Sequence, residues 1–140
     1  MRDYNTLTVY CTGMKRSGST LQYNIVRLIL KRAMKDVETV VKSKNEMKGM
    51  GRYETKKYDL VKTHHPTSGL MSNIENKNIK VTYIFRDIRN VYLSIQRMQG
   101  LRHDEILSII DNCVETYRLV KKHNGILMQK YEDMLSDISQ

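Results

Sequence analysis

Apolar residues fall into two rhythms along this chain. Leu7-Thr8-Val9-Tyr10-Cys11, Tyr58-Asp59-Leu60-Val61-Lys62-Thr63, Lys80-Val81-Thr82-Tyr83-Ile84-Phe85 and Ile126-Leu127-Met128-Gln129-Lys130 are short runs rich in branched and aromatic residues. Their length and composition predict strands. The run ending at Phe85 suits a strand buried on both faces, and Pro66 stops the one before it. Helical spacing fills the intervals. Over residues 19–35, Leu21, Ile25, Leu28 and Ile29 recur at i, i+4, i+7 and i+8, which predicts an apolar face, with Ser17 or Ser19 as N-cap. A short helix or turn is expected over 69–74. A helix over 90–98 stops at Gly100, and another over 104–122 carries Ile106, Ile110, Cys113, Val114 and Tyr117 on one face. This alternation predicts an α/β fold of three layers, a parallel sheet flanked by helices, as one domain over residues 1–140.

Residues 42–57 break both rhythms. Lys42, Lys44, Lys48, Arg52, Lys56 and Lys57 stand there against Glu46 and Glu54, and Gly49 and Gly51 flank Met50. The composition predicts a basic, mobile surface loop or, more sharply, a flap over a bound anion. Charge extends that picture to the whole chain, since 24 Lys and Arg against 15 Asp and Glu leave a net charge of +9. Polyanionic partners are favoured: a multiply charged nucleotide, nucleic acid or an anionic surface. No apolar run approaches membrane-spanning length. Met1-Arg2-Asp3-Tyr4-Asn5 lacks the apolar stretch of a signal peptide, so a cytoplasmic protein is expected. Cys11 and Cys113 form no CxxC pair and fall at expected core positions, which argues for buried thiols in a reducing compartment and against a zinc site.

Candidate chemistry gathers where the expected strands end, the edge at which parallel α/β sheets bind ligands. Thr12-Gly13-Met14-Lys15-Arg16-Ser17-Gly18-Ser19-Thr20 joins a strand to a helix and has the glycine spacing of a P-loop. The lysine of that motif is replaced by Ser19, and the cations come earlier, at Lys15 and Arg16. Backbone N–H groups in such a turn form an anion cradle. In Lys62-Thr63-His64, strand alternation puts Lys62 and His64 on one side, a cation beside a potential base, and His65 on the other. Arg86 ends the third strand, and Ser94 lies in the next helix, where its hydroxyl can join Arg86 on one phosphate. Asp87 reads either as a metal-binding acid after a strand or as a salt-bridge partner. Tyr131 of Tyr131-Glu132-Asp133-Met134 reads either as a base-stacking ring or as packing.

Taken in order, these residues resemble the sulfotransferase family, whose donor is 3′-phosphoadenosine-5′-phosphosulfate. Arg16-Ser17-Gly18-Ser19-Thr20 is similar to its 5′-phosphosulfate loop, and Lys62-Thr63-His64 with Pro66 is similar to its Lys-Thr-His strand. Arg86 and Ser94 match its 3′-phosphate Arg and Ser, including their separation, and Tyr131-Glu132-Asp133-Met134 matches a segment whose Tyr lies near the adenine. The resemblance implies a P-loop NTPase-like fold and sulfuryl transfer to a hydroxyl or amine of a small-molecule or carbohydrate acceptor. It implies His64 as base, Lys62 and Arg16 as transition-state cations, and the loop from Lys15 to Thr20 with Arg86, Ser94 and Tyr131 as donor contacts. No metal, membrane or nucleic acid is expected to take part. Leu21, Ile88 and Asn90 stand where members often have Trp, Pro and Asp. The family's later Gly-rich basic segment, which closes over the 3′-phosphate, is expected to be lacking. Two other readings compete: a P-loop nucleotide kinase or NTPase, supported by the glycine spacing and Asp87, and a non-catalytic basic nucleic-acid-binding module, supported by charge.

Overall fold

The computed structural model describes residues 6–34, 42–43, 51–54 and 57–139. In chain order its elements are β1 (Leu7–Gly13), α1 (Ser19–Ala33), β2 (Lys42–Ser43), β3 (Gly51–Glu54), β4 (Tyr58–Lys62) and α2 (Ser68–Ser72). There follow β5 (Ile79–Phe85), α3 (Ile88–Gln99), α4 (His103–Lys121), β6 (Ile126–Lys130) and α5 (Tyr131–Ile138). The sheet order is β2-β3-β4-β1-β5-β6. The four strands β4-β1-β5-β6 run parallel, as the alternation predicts.

Residues 42–57 do not form only a loop. Backbone at Lys42–Ser43 and Gly51–Glu54 extends the sheet as an antiparallel pair against β4, with Gly51 opposite Lys62 and Glu54 opposite Asp59. An edge strand needs main-chain pairing more than a hydrophobic run, so lysines and glycines do not forbid it. Lys44, Lys48, Lys56 and the rest of the expected flap lie outside the described residues.

Strand alternation sorts the side chains into two cores. Val9 and Cys11 of β1 join Tyr58 and Leu60 of β4 under Leu30 of α1. On the other face, Val81 and Tyr83 of β5 and Ile126 of β6 pack with Leu70 of α2 and with Cys113 and Val120 of α4. Val81 through Ile84 are all buried, as a strand covered on both faces requires. Side chains such as Leu60, Tyr83 and Ile106 are fully enclosed, each stabilising the fold by roughly 1.5–3 kcal/mol of transfer free energy.

Two local expectations are corrected. The buried stripe of α1 is Ser19, Gln22 and Leu30, with Tyr23 and Val26 partly covered; Leu21, Leu28 and Ile29 face outward at 36, 66 and 59% exposure. The stripe escapes a hydrophobicity count because it includes a glutamine, whose Nε2 donates to Gln129 Oε1 on β6 at 2.6 Å. Neither Ser17 nor Ser19 caps α1. The N-cap is Gly18, left-handed at φ 81°, with no side-chain hydrogen bond. By contrast, Gly100 ends α3 in the left-handed form as expected.

Candidate active site

The loop between β1 and α1 is shaped by contacts that leave room only for glycine. Gly13 pairs with Ile84 in the β1–β5 register. A Cβ there would sit 2.4 Å from Ile84 Cγ2 and 2.7 Å from the Ile84 carbonyl. A Cβ at Gly18 would sit 2.5 Å from the Tyr131 ring, on a backbone that already favours glycine. Ser17 is fully buried, and its hydroxyl donates to the Met14 carbonyl at 2.5 Å. Its side chain therefore closes the turn and does not line the cleft. Arg16 is left-handed at φ 60°, a conformation costing a branched-free side chain about 1 kcal/mol. That turn sends its guanidinium across to α3, where Nε donates to Ser94 Oγ at 2.9 Å.

The loop borders a cleft of about 850 Å³ beyond the carboxyl ends of the parallel strands. Lys15, Arg16, Lys62 and Arg86 line it with His64 and Ser94, and no carboxylate does so among the described residues. Gly18, Ser19, Thr20 and Tyr131 also line it. Lys62 Nζ donates to Thr20 Oγ1 at 2.8 Å, joining the end of β4 to the first turn of α1. The unfilled N–H groups of that turn and its helix dipole add to the positive field.

His64 lines the cleft and the exposed His65 does not; β4 ends at Lys62, so the bend beyond the strand, and not strand alternation, sets their directions. Nδ1 of His64 is buried with no hydrogen-bond partner among the described residues. Burial first, then the charges of Lys62, Lys15 and His65, hold this imidazole below its ordinary value. It is therefore neutral at pH 7, the form that accepts a proton.

Arg86 is the pivot of the far wall. Its Nη1 donates to the Arg16 carbonyl at 3.3 Å, its guanidinium carbon lies 4.6 Å from the centroid of Tyr131, and Glu132 Oε1 lies 3.7 Å from its Nε. That Nε is buried without a hydrogen bond among the described residues. Tyr131 thus packs between Gly18 and Arg86, the packing alternative, while still bordering the cleft. Glu132 has no role of its own in the sequence reading, which names it only within Tyr131-Glu132-Asp133-Met134; its place in the first turn of α5 is a further signal. Asp87 resolves toward structure. It caps α3 by accepting from Arg89 N at 2.9 Å, and it pairs with the Arg89 side chain at 2.7 Å. Those hydrogen bonds pull its carboxyl down to about 2. It does not line the cleft.

Cys11 and Cys113 are free and buried, as expected. Burial pushes the Cys11 thiol up to about 11. No helix among the described residues is long and apolar enough to cross a membrane.

Residues 8–140 match the sequence model of a family described as the sulfotransferase domain. No match was found among curated proteins.

Proposed function

Because the chain belongs to the sulfotransferase domain family, we propose that it transfers a sulfuryl group from 3′-phosphoadenosine-5′-phosphosulfate to a hydroxyl or amine of a small-molecule or carbohydrate acceptor. The observation that carries the reading is the convergence of Lys15, Arg16, Lys62 and Arg86 with a neutral His64 on one carboxylate-free cleft. A donor with negative charge at both ends matches such a lining.

In this reading the backbone from Gly18 to Thr20 seats the 5′-phosphosulfate against the first turn of α1. His64 takes the proton of the acceptor as its oxygen or nitrogen bonds to sulfur. The bond from sulfur to the bridging oxygen breaks, and that oxygen keeps the electron pair as part of the released 5′-phosphate. Lys62, already at the loop through Thr20, offsets the charge that grows there. Arg16 is held at Ser94 by its Nε and offers its terminal nitrogens to the same ligand. Catalysis is then chiefly alignment and electrostatic stabilisation, as in phosphoryl transfer.

The test is binding followed by turnover. 3′,5′-Adenosine diphosphate should raise the melting temperature, since a ligand of the native state alone stabilises it. His64→Ala should lower sulfuryl transfer by roughly 10²–10⁴-fold while keeping that thermal shift. Stabilisation by ATP with magnesium but not by 3′,5′-adenosine diphosphate would sink the proposal, as would full transfer by His64→Ala.

A further inference from the structure

A second cavity, of about 380 Å³, runs from the cleft along α3. It shares Arg16, Arg86 and Ser94 with the cleft and adds Asn90, Arg97 and Met98. Asn90, Ser94 and Arg97 are spaced by four and three residues, so α3 presents an amide, a hydroxyl and a guanidinium on one face. Three arginines therefore border a small space with no carboxylate in its lining among the described residues. Arg86 has Glu132 at 3.7 Å and Arg16 has Ser94 at 2.9 Å. Arg97 is exposed and has no hydrogen-bond or ion-pair partner among the described residues. Like charges gathered this way repel one another, and a compact dianion between them reverses the sign.

We infer that Arg97 is a third contact for the 3′-phosphate of the donor, completing with Arg86 and Ser94 a seat that selects nucleotides carrying that group. The inference rests on the donor proposed above. The shared lining residues give its geometry: a ligand anchored at the loop reaches the second cavity past Arg16 and Ser94. The Ser94 hydroxyl, which accepts from Arg16 and keeps its own proton to donate, and the guanidinium of Arg86 line this space, and the exposed Arg97 supplies a guanidinium fork that can take two phosphate oxygens. None of the residue spacings that point to the cleft includes Arg97. Its place one helical turn beyond Ser94 brings it in.

Calorimetry on Arg97→Gln and Arg97→Lys decides the matter, with 3′,5′-adenosine diphosphate and adenosine 5′-monophosphate as paired probes. Arg97→Gln should weaken the first about tenfold, the lower end for a charge-assisted contact at an exposed site, and leave the second unchanged. Arg97→Lys should recover part of the loss. The salt dependence of 3′,5′-adenosine diphosphate binding should flatten in the glutamine variant. Because Arg97 is exposed, the melting temperature without ligand should not move. Equal weakening of both probes would reduce Arg97 to a distant charge and overturn the inference. Unchanged binding of both would do the same while leaving the donor reading intact. Failure of the wild-type protein to prefer 3′,5′-adenosine diphosphate over the monophosphate would overturn the donor reading and this inference together.

Discussion

Gly18 and Arg86 lie across one cleft, yet they are held there in different ways. On the loop side, position is set by the backbone and by what packs against it. Gly13 is pressed onto Ile84, Gly18 onto the Tyr131 ring, and Ser17 is turned inward to close the turn. On the α3 side, position is set by long side chains that lean on one another. Arg16 reaches Ser94, Arg86 reaches the Arg16 carbonyl and Tyr131, and Arg97 stands unpaired among the described residues at the rim. The loop seat is therefore rigid and intolerant, and damage there costs fold and binding together. The side-chain seat is adjustable, and damage there should cost binding alone.

The sharpest way to break that contrast is Gly18→Ala. A methyl group meets both the Tyr131 ring and a left-handed backbone, and we expect about 3 kcal/mol of lost stability in urea unfolding. A variant as stable as the parent would show that the loop yields and that its two glycines are not the reason for its shape. Arg86→Ala should do the opposite. Affinity for 3′,5′-adenosine diphosphate should fall by roughly 10–100-fold with a small change in melting temperature. A large loss of stability would make Arg86 a strut and no longer a binding group.

The pH dependence sharpens the comparison on the loop side. With the His64 value held below 6.5, the acid limb of kcat/KM should fall below the range of an ordinary histidine. The same shift acts on stability. The unfolded chain takes up the His64 proton at a higher pH than the folded one. Stability from this group is therefore present above its unfolded value and is lost as pH falls through the window between the two. An acid limb above 6.5 in the absence of ligand would contradict the placement of His64 beside Lys62 and Lys15. The smallest effect is expected at Asp87. Asp87→Ala should lower the melting temperature slightly through the lost α3 cap and leave nucleotide binding, with or without magnesium, unchanged. Magnesium-dependent binding that vanishes in this variant would return Asp87 to a metal-binding role.

Most of the framework was legible because its strands advertise themselves. Lys80 to Phe85 is a continuous buried run, and glycine spacing located the turn after β1. The legible part of the site consists of residues at or just beyond strand ends, such as Lys62, which closes β4, and Arg86, which follows β5. What stayed hidden depends on contacts between distant segments. Leu28 and Ile29 look like a core face but point outward, because the sheet takes up Gln22 and Leu30. Ser17 reads as an N-cap until Gly18 is seen to hold that place and the Ser17 hydroxyl to donate to the Met14 carbonyl. The antiparallel edge at β2 and β3 carries no hydrophobic run and pairs through its backbone. Glu132 has no partner in the local sequence; Arg86 reaches it only after β5 and β6 are side by side.

The register of β1 has a consequence for how the protein is made. Leu7 pairs with Tyr58 and Thr8 with Ile79, so β1 is translated well before either of the strands that flank it. The turn that follows it is closed by hydrogen bonds to β5, Met14 N to the Ile84 carbonyl at 3.0 Å among them. A ribosome must therefore release the chain past Ile84 before the cradle can take its shape. Until then β1 is an apolar segment with two open edges, a species prone to mispairing and dependent on slow, long-range closure. The anion seat is translated before the strand that closes it, so it takes its shape only once β5 has paired with β1.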